Sequence, residues 1–133
     1  MKKITTLLEK GKDGYGVSFE EITTVYSFGE TVEEAKENAA EALAGYIKVL
    51  NNHGKPLPEA LQGEYELIFK FDTSTILEYV TDWVTQKALA NATGINVTQI
   101  NHYATRRAKP RPQQREKIVS GLHKIGRELL SVS

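Results

Sequence analysis

Beyond Val84 the chain carries nine Lys and Arg, from Lys87 to Arg127, against two acids, Glu116 and Glu128. Cations at that density are the chemistry of a polyanion binder, since each one that meets a phosphate releases a condensed counterion. A solvated helical surface would account for the charge alone, so the surrounding pattern has to decide. The run from Gln86 to Tyr103 meets the demands of two helices crossing steeply over a tight turn: a small residue where they meet, a residue that tolerates a left-handed backbone, and apolar anchors on each side. Ala90 is the small residue, Gly94 the turn, Leu89 and Ile95 flank it, and Ile100 and Tyr103 anchor the second helix. Thr93 alone departs from the apolar ideal. Asn96 followed by Gln99 makes a cap for the second helix. A generic αα-hairpin ending in a glycine has no reason to combine all of these with a basic run. The segment therefore reads as a helix-turn-helix DNA-binding domain.

With Ile100 facing inward, an advance of about 100° per residue puts Thr98, His102 and Thr105 on the opposite face, flanked by Gln99, Asn101 and Arg106. This face is expected in the major groove. Asn101 could pair bidentately with adenine, His102 could donate to guanine N7, and Val97 or the Thr98 methyl could touch a thymine methyl. Arg106, Arg107, Lys109 and Arg111 follow the helix, where phosphate contact is the expectation, although either of the two adjacent arginines could reach a guanine. Pro110 and Pro112 suit the start of a last helix, with Pro112 near its first position. That helix carries Ile118, Leu122, Ile125 and Leu129, a narrow stripe that could pack on the domain core or pair two subunits. Small domains are marginal alone and helix-turn-helix readers usually bind two half-sites, so a homodimer or higher oligomer on operator DNA is expected.

No other constellation suggests chemistry. His53, His102 and His123 lack ligand spacing, so no metal site is expected, nor any cofactor or catalytic residue. The absence of cysteine excludes disulfides and thiolate metal sites and agrees with a reducing cytoplasm. Met1-Lys2-Lys3-Ile4 begins like a signal peptide, but Thr5 and Thr6 break its apolar stretch, which ends at Glu9-Lys10. No segment approaches the roughly 18 apolar residues of a membrane span. The protein reads as cytoplasmic.

A net charge of zero hides a polarity along the chain. Residues 1–70 carry eight Lys against twelve Asp and Glu, whereas residues 71–133 carry nine Lys and Arg against five acids. The two halves are built for different partners. In the first, Ile4, Thr6 and Leu8 alternate on one strand face and Tyr15, Val17 and Phe19 on another. Asp13-Gly14 between them suits a hairpin. A third strand is expected over about 24–28. At Thr31 the period changes: Thr31 and Glu34 form a capping box, and the stripe Val32, Ala35, Ala39, Ala42, Leu43, Tyr46, Ile47 and Leu50 runs to a stop at Asn52-His53-Gly54. Glu64 to Phe71 alternates as a returning strand. The second half opens with a helix carrying Ile76, Leu77, Val80, Trp83 and Val84. The expected fold class is α+β: a β-β-β-α-β domain over residues 1–71, then an all-α helix-turn-helix domain over residues 72–133.

The whole chain also resembles the HicB antitoxins of bacterial toxin-antitoxin pairs. Asp13-Gly14-Tyr15-Gly16-Val17-Ser18-Phe19, Gly29-Glu30-Thr31-Val32-Glu33-Glu34-Ala35, the alanine-rich helix and Gly54-Lys55-Pro56-Leu57-Pro58 are similar to that family's N-terminal domain. The region from Gln86 to Pro110 is similar to the phage-repressor type of helix-turn-helix that one branch of the family carries. The resemblance implies a partial RNase H-like fold in front, which binds a small basic HicA-type toxin that cleaves mRNA, while the rear domain represses the operon. After Phe19 the family usually has an Asp-Leu-Pro-Gly-like turn. Here Glu20-Glu21-Ile22-Thr23-Thr24 follows, so contacts made by that loop are not carried over. Tyr15, Val17, Tyr26 and Phe28 are the candidates for the toxin-facing surface. A two-metal nuclease, which an RNase H-like fold can support, needs convergent carboxylates that the scattered Asp13, Glu20 and Glu21 do not supply. The alternative function is a transcriptional repressor whose front domain senses a small molecule.

Overall fold

The computed structural model describes all 133 residues, and its backbone contacts divide the chain into two compact units, Met1–Phe71 and Asp72–Ser133. The architecture is α+β, with one four-stranded sheet and five α-helices.

In the first unit β1 (Lys2–Lys10) and β2 (Tyr15–Phe19) form the antiparallel hairpin, with Lys10 opposite Tyr15 and Thr6 opposite Phe19. The third strand, β3, is Ser27–Gly29 rather than residues 24–28. Its ladder joins only Tyr15–Val17 of β2, and the preceding segment is irregular because Ile22 and Val25 bury their side chains instead of pairing. The 21-residue helix α1 (Val32–Asn52) starts where the period changes: the Thr31 hydroxyl accepts from the Glu34 amide at 3.1 Å. It stops at Gly54, where the Lys55 and Gly54 amides bond back to the carbonyls of Leu50 and Asn51, satisfying two otherwise orphaned acceptors. A single 3-10 turn at Glu59–Leu61 leads into β4 (Tyr65–Lys70), which lies parallel to β1, so the sheet order is β3-β2-β1-β4.

One sheet face carries the core. Ile4, Thr6 and Leu8 with Val17 and Phe19 are buried together with Val32, Ala35, Ala39 and Leu43 of α1. Gly29 belongs to this fit: a Cβ there would come within 2.3 Å of the Ala35 backbone nitrogen. The opposite face, with Ile68 and Phe28, is exposed.

The second unit contains α2 (Thr73–Val80), α3 (Gln86–Thr93), α4 (Val97–Ala104) and α5 (Pro112–Leu130). Asp72 starts α2 by accepting the Thr75 amide at 3.0 Å. The helix ends before Trp83, which is 64% exposed against Tyr79 and does not join the apolar stripe. Leu77, Leu89, Ile95, Ile100, Tyr103 and Ile118 form the core, with Leu122 and Ile125 packed at its border. No helix is long and apolar enough to cross a membrane.

Candidate nucleic-acid interface

The connection between α3 and α4 is three residues long and turns on Gly94, whose φ of 76° is left-handed. A side chain there would meet the following carbonyl, which is why glycine serves. The Gly94 amide closes the end of α3 on Ala90 O at 2.9 Å. Thr93, the polar departure from the turn's apolar ideal, is accounted for by its two ends. Its hydroxyl donates to Leu89 O at 2.8 Å and accepts from the Ile95 amide at 3.1 Å, while its methyl abuts Gly121 of α5. The hydroxyl thereby bridges helix and turn. Asn96 then caps α4 by accepting the Thr98 amide at 2.7 Å.

Ile100 and Tyr103 are buried, which turns the rest of α4 outward. Val97 and Thr98 are exposed at its start and Thr105 at its end, while Gln99, Asn101 and His102 are half-buried. The Asn101 amide donates to Gln86 Oε1 at 3.3 Å, tying α4 to the first turn of α3. Its carbonyl oxygen and second amide hydrogen remain for a base edge. Thr105 Oγ1 is bonded to Asn101 O at 2.8 Å, so it presents its methyl more readily than its hydroxyl.

Arg106, expected at a phosphate, is engaged within the unit while its side chain stays 49% exposed. It adopts a left-handed backbone, φ 63°, at the residue after the α4 cap, and the amides of Arg106 and Arg107 bond back to Tyr103 O and His102 O. This is the glycine-type helix ending with an arginine in glycine's place, which costs about 1–2 kcal/mol of backbone strain. The turn swings its guanidinium onto Asp72, 2.7 Å from Oδ2, and within 3.4 Å of the Thr75 hydroxyl. Arg106 therefore holds α4 against the start of α2 and is a positioning residue. Burial of the Asp72 carboxyl opposes its ionisation, but hydrogen bonds from the Arg106 and Thr75 side chains and the Thr75 amide, with the Arg106 charge, outweigh that and hold its pKa below the usual carboxylate value. Nearby, Ser74 Oγ donates to Ala104 O at 3.0 Å and Arg115 donates to Thr73 Oγ1 at 3.1 Å.

Arg107, Lys109 and Arg111 are exposed in the connection to α5. Pro112 occupies the first turn of α5 and no side chain caps it, so the positive end of the helix adds to the charge of those cations. The arrangement offers a polar helix face beside an electropositive loop. Arg106 was legible as a cation but not as a clamp; its partner lies 34 residues earlier in the chain, and only the Asp72-Thr73-Ser74-Thr75 run hinted at a capped helix start there.

The candidates for a protein partner separate by sheet face. Tyr26 is 72% and Phe28 48% exposed at the β3 edge, whereas Tyr15 shares the α1-facing side of β2 with Val17 and is half-buried. Val17 is 3% exposed: its pairing with Leu8 turns it toward α1, so its side chain belongs to the core and not to the outer surface.

Compared with known proteins, the chain matches over residues 4–122 the model of a family described as HicB-like antitoxin of bacterial toxin-antitoxin system. No curated protein matches it.

Proposed function

The chain belongs to the HicB-like antitoxin family of bacterial toxin-antitoxin systems, and from that premise we propose that it neutralises a small basic HicA-type toxin with its first unit and represses its own operon with its second. The observation that carries this reading is the single family match running through both units. Charge supports the division of labour. The acidic first half suits a basic RNA-cleaving partner, and complementary fields accelerate such encounters; the basic second half suits DNA. Neutralisation is by occlusion, with Tyr26 and Phe28 as the leading contact residues, since exposed aromatics are the usual anchors of such surfaces; Tyr15 would contribute from the other sheet face.

In the second unit we read α3, Gly94 and α4 as a helix-turn-helix of the phage-repressor type. Val97, Thr98, Gln99, Asn101, His102 and Thr105 address base edges, and Arg107, Lys109, Arg111 and the start of α5 address phosphates. Two copies are needed to span two half-sites. The test is genetic and biochemical together. A small basic reading frame is expected beside that of this chain; its induction should arrest growth, co-induction of this chain should restore it, and the chain should retard a fragment of the promoter upstream of the pair. Growth arrest that persists on co-induction would defeat the neutralisation, and failure to retard the promoter would defeat the repression.

A further inference from the structure

The two edges of the sheet are finished differently. At one, β3 is three residues long, the Asn38 amide donates to Phe28 O at 2.7 Å, and Gly29 is pressed against the α1 backbone. That edge is short and one of its carbonyls is capped by a side chain, devices by which sheet edges are ordinarily blunted. At the other, β4 is six residues long, contains no proline, and ends the strand order with β1 on one side only. Its outward residues are Glu66 and Lys70, both exposed, with Ile68 41% exposed between them. An unpaired, apolar-centred edge of this length is a template for another strand.

The sequence of β4 specifies which strand. Residues opposite one another in an antiparallel pair must share a sheet face, so two copies of β4 related by a two-fold axis can centre only on a residue. Centring on Ile68 sets Ile68 against Ile68 and, on the same face, Glu66 of each copy against Lys70 of the other. On the helix-covered face it sets Leu67 against Phe69. Shifting the centre to Leu67 or to Phe69 loses this: Glu66 or Lys70 then faces Ile68. We propose that β4 is a self-association edge, pairing antiparallel with β4 of a second copy about Ile68 and joining two four-stranded sheets into one of eight strands. The two reciprocal Glu66–Lys70 pairs fix the register. Phe28 and Tyr26 sit at the far edge, three strand spacings or about 14 Å away, so this pairing leaves that surface open. The inference does not rest on the toxin or DNA assignments.

The chain has no cysteine, so Ile68→Cys introduces a lone thiol that lies opposite itself only in this register. Mild oxidation of the full-length I68C protein should give a disulfide-linked dimer. Adding E66K or K70E, each of which places like charges opposite twice, should slow that cross-linking about tenfold. The double exchange E66K/K70E should restore it. A mixture of E66C and K70C proteins should cross-link to each other faster than either does to itself. A dimer held only elsewhere, for example along α5, would leave I68C unlinked or linking at a rate indifferent to residues 66 and 70. Either result overturns the proposal.

Discussion

Replacing Gly121 by alanine should destabilise the second unit even though alanine is the better helix former, and the sign should reverse when Thr93 is shortened. A Cβ at position 121 would lie 2.5 Å from the Thr93 Cγ2 methyl, against ordinary carbon contacts of about 3.5–4.0 Å. Thr93 cannot easily yield, because its hydroxyl is engaged with both Leu89 O and the Ile95 amide. Overpacking of this kind costs about 2–3 kcal/mol, and helix propensity returns about 1, leaving a net loss of about 1–2 kcal/mol. For a unit of this size that is a fall of several degrees in Tm. In a Thr93→Ser background the hydroxyl bridge stays and the obstructing methyl goes, so G121A should become neutral or stabilising by up to about 1 kcal/mol. The coupling is then about 2 kcal/mol, within the range for residues in contact. Urea unfolding of the full chain, followed by the fluorescence of Trp83 in the second unit, reads the cycle. A G121A effect of the same sign and size in both backgrounds would refute the account of how α5 holds the α3–α4 turn.

Thr6 is fully buried in the first unit and its hydroxyl has no hydrogen-bond partner; Thr6→Val should therefore raise stability by about 1 kcal/mol in chemical denaturation, and a loss would mean that the hydroxyl is satisfied. Asp72→Asn keeps a helix cap but discards the charge paired with Arg106. Because the folded pKa of Asp72 lies below the ordinary carboxylate value, its ionised form stabilises the fold above that value and the benefit is lost as pH falls through the folded pKa. With the pair half-exposed, D72N should be less stable than the parent by at most about 1 kcal/mol at pH 7. The gap should close on acidification below about pH 4, and a constant gap would remove the ion pair from the account. Arg107→Ala should weaken binding to all DNA sequences and lower the salt slope by about one, whereas His102→Ala should cost roughly 1–3 kcal/mol at one base pair; unchanged binding in both would sink the assignment of α4 to the groove.

The features legible in the sequence were those set by neighbours in the chain. The change of period at Thr31, the stop at Gly54, the turn at Gly94 flanked by Leu89 and Ile95, and Pro112 opening the last helix each depend on a few adjacent residues and on backbone sterics. What escaped depends on register and on distant partners. Alternation marks Val17 as lying on one side of a strand but not which side is covered; only the pairing of Val17 with Leu8 turns it to α1, while the pairing of Gly16 with Phe28 turns Phe28 away. The left-handed backbone of Arg106 is disfavoured locally and is offset by Asp72, Thr75 and the helix ending together, which no local pattern encodes. Thr93 looked like a flaw in the turn because the glycine receiving its methyl is 28 positions later, on α5.

We propose above all that this chain holds a toxin. Expressing it, tagged, together with its flanking genes, purifying it and analysing what co-purifies by mass spectrometry puts that claim to the most direct test. A small basic protein in stoichiometric complex is expected, which arrests growth when induced alone and is harmless when co-induced with this chain. Purification of the chain without such a partner, or with one whose expression alone leaves growth unaffected, would contradict it.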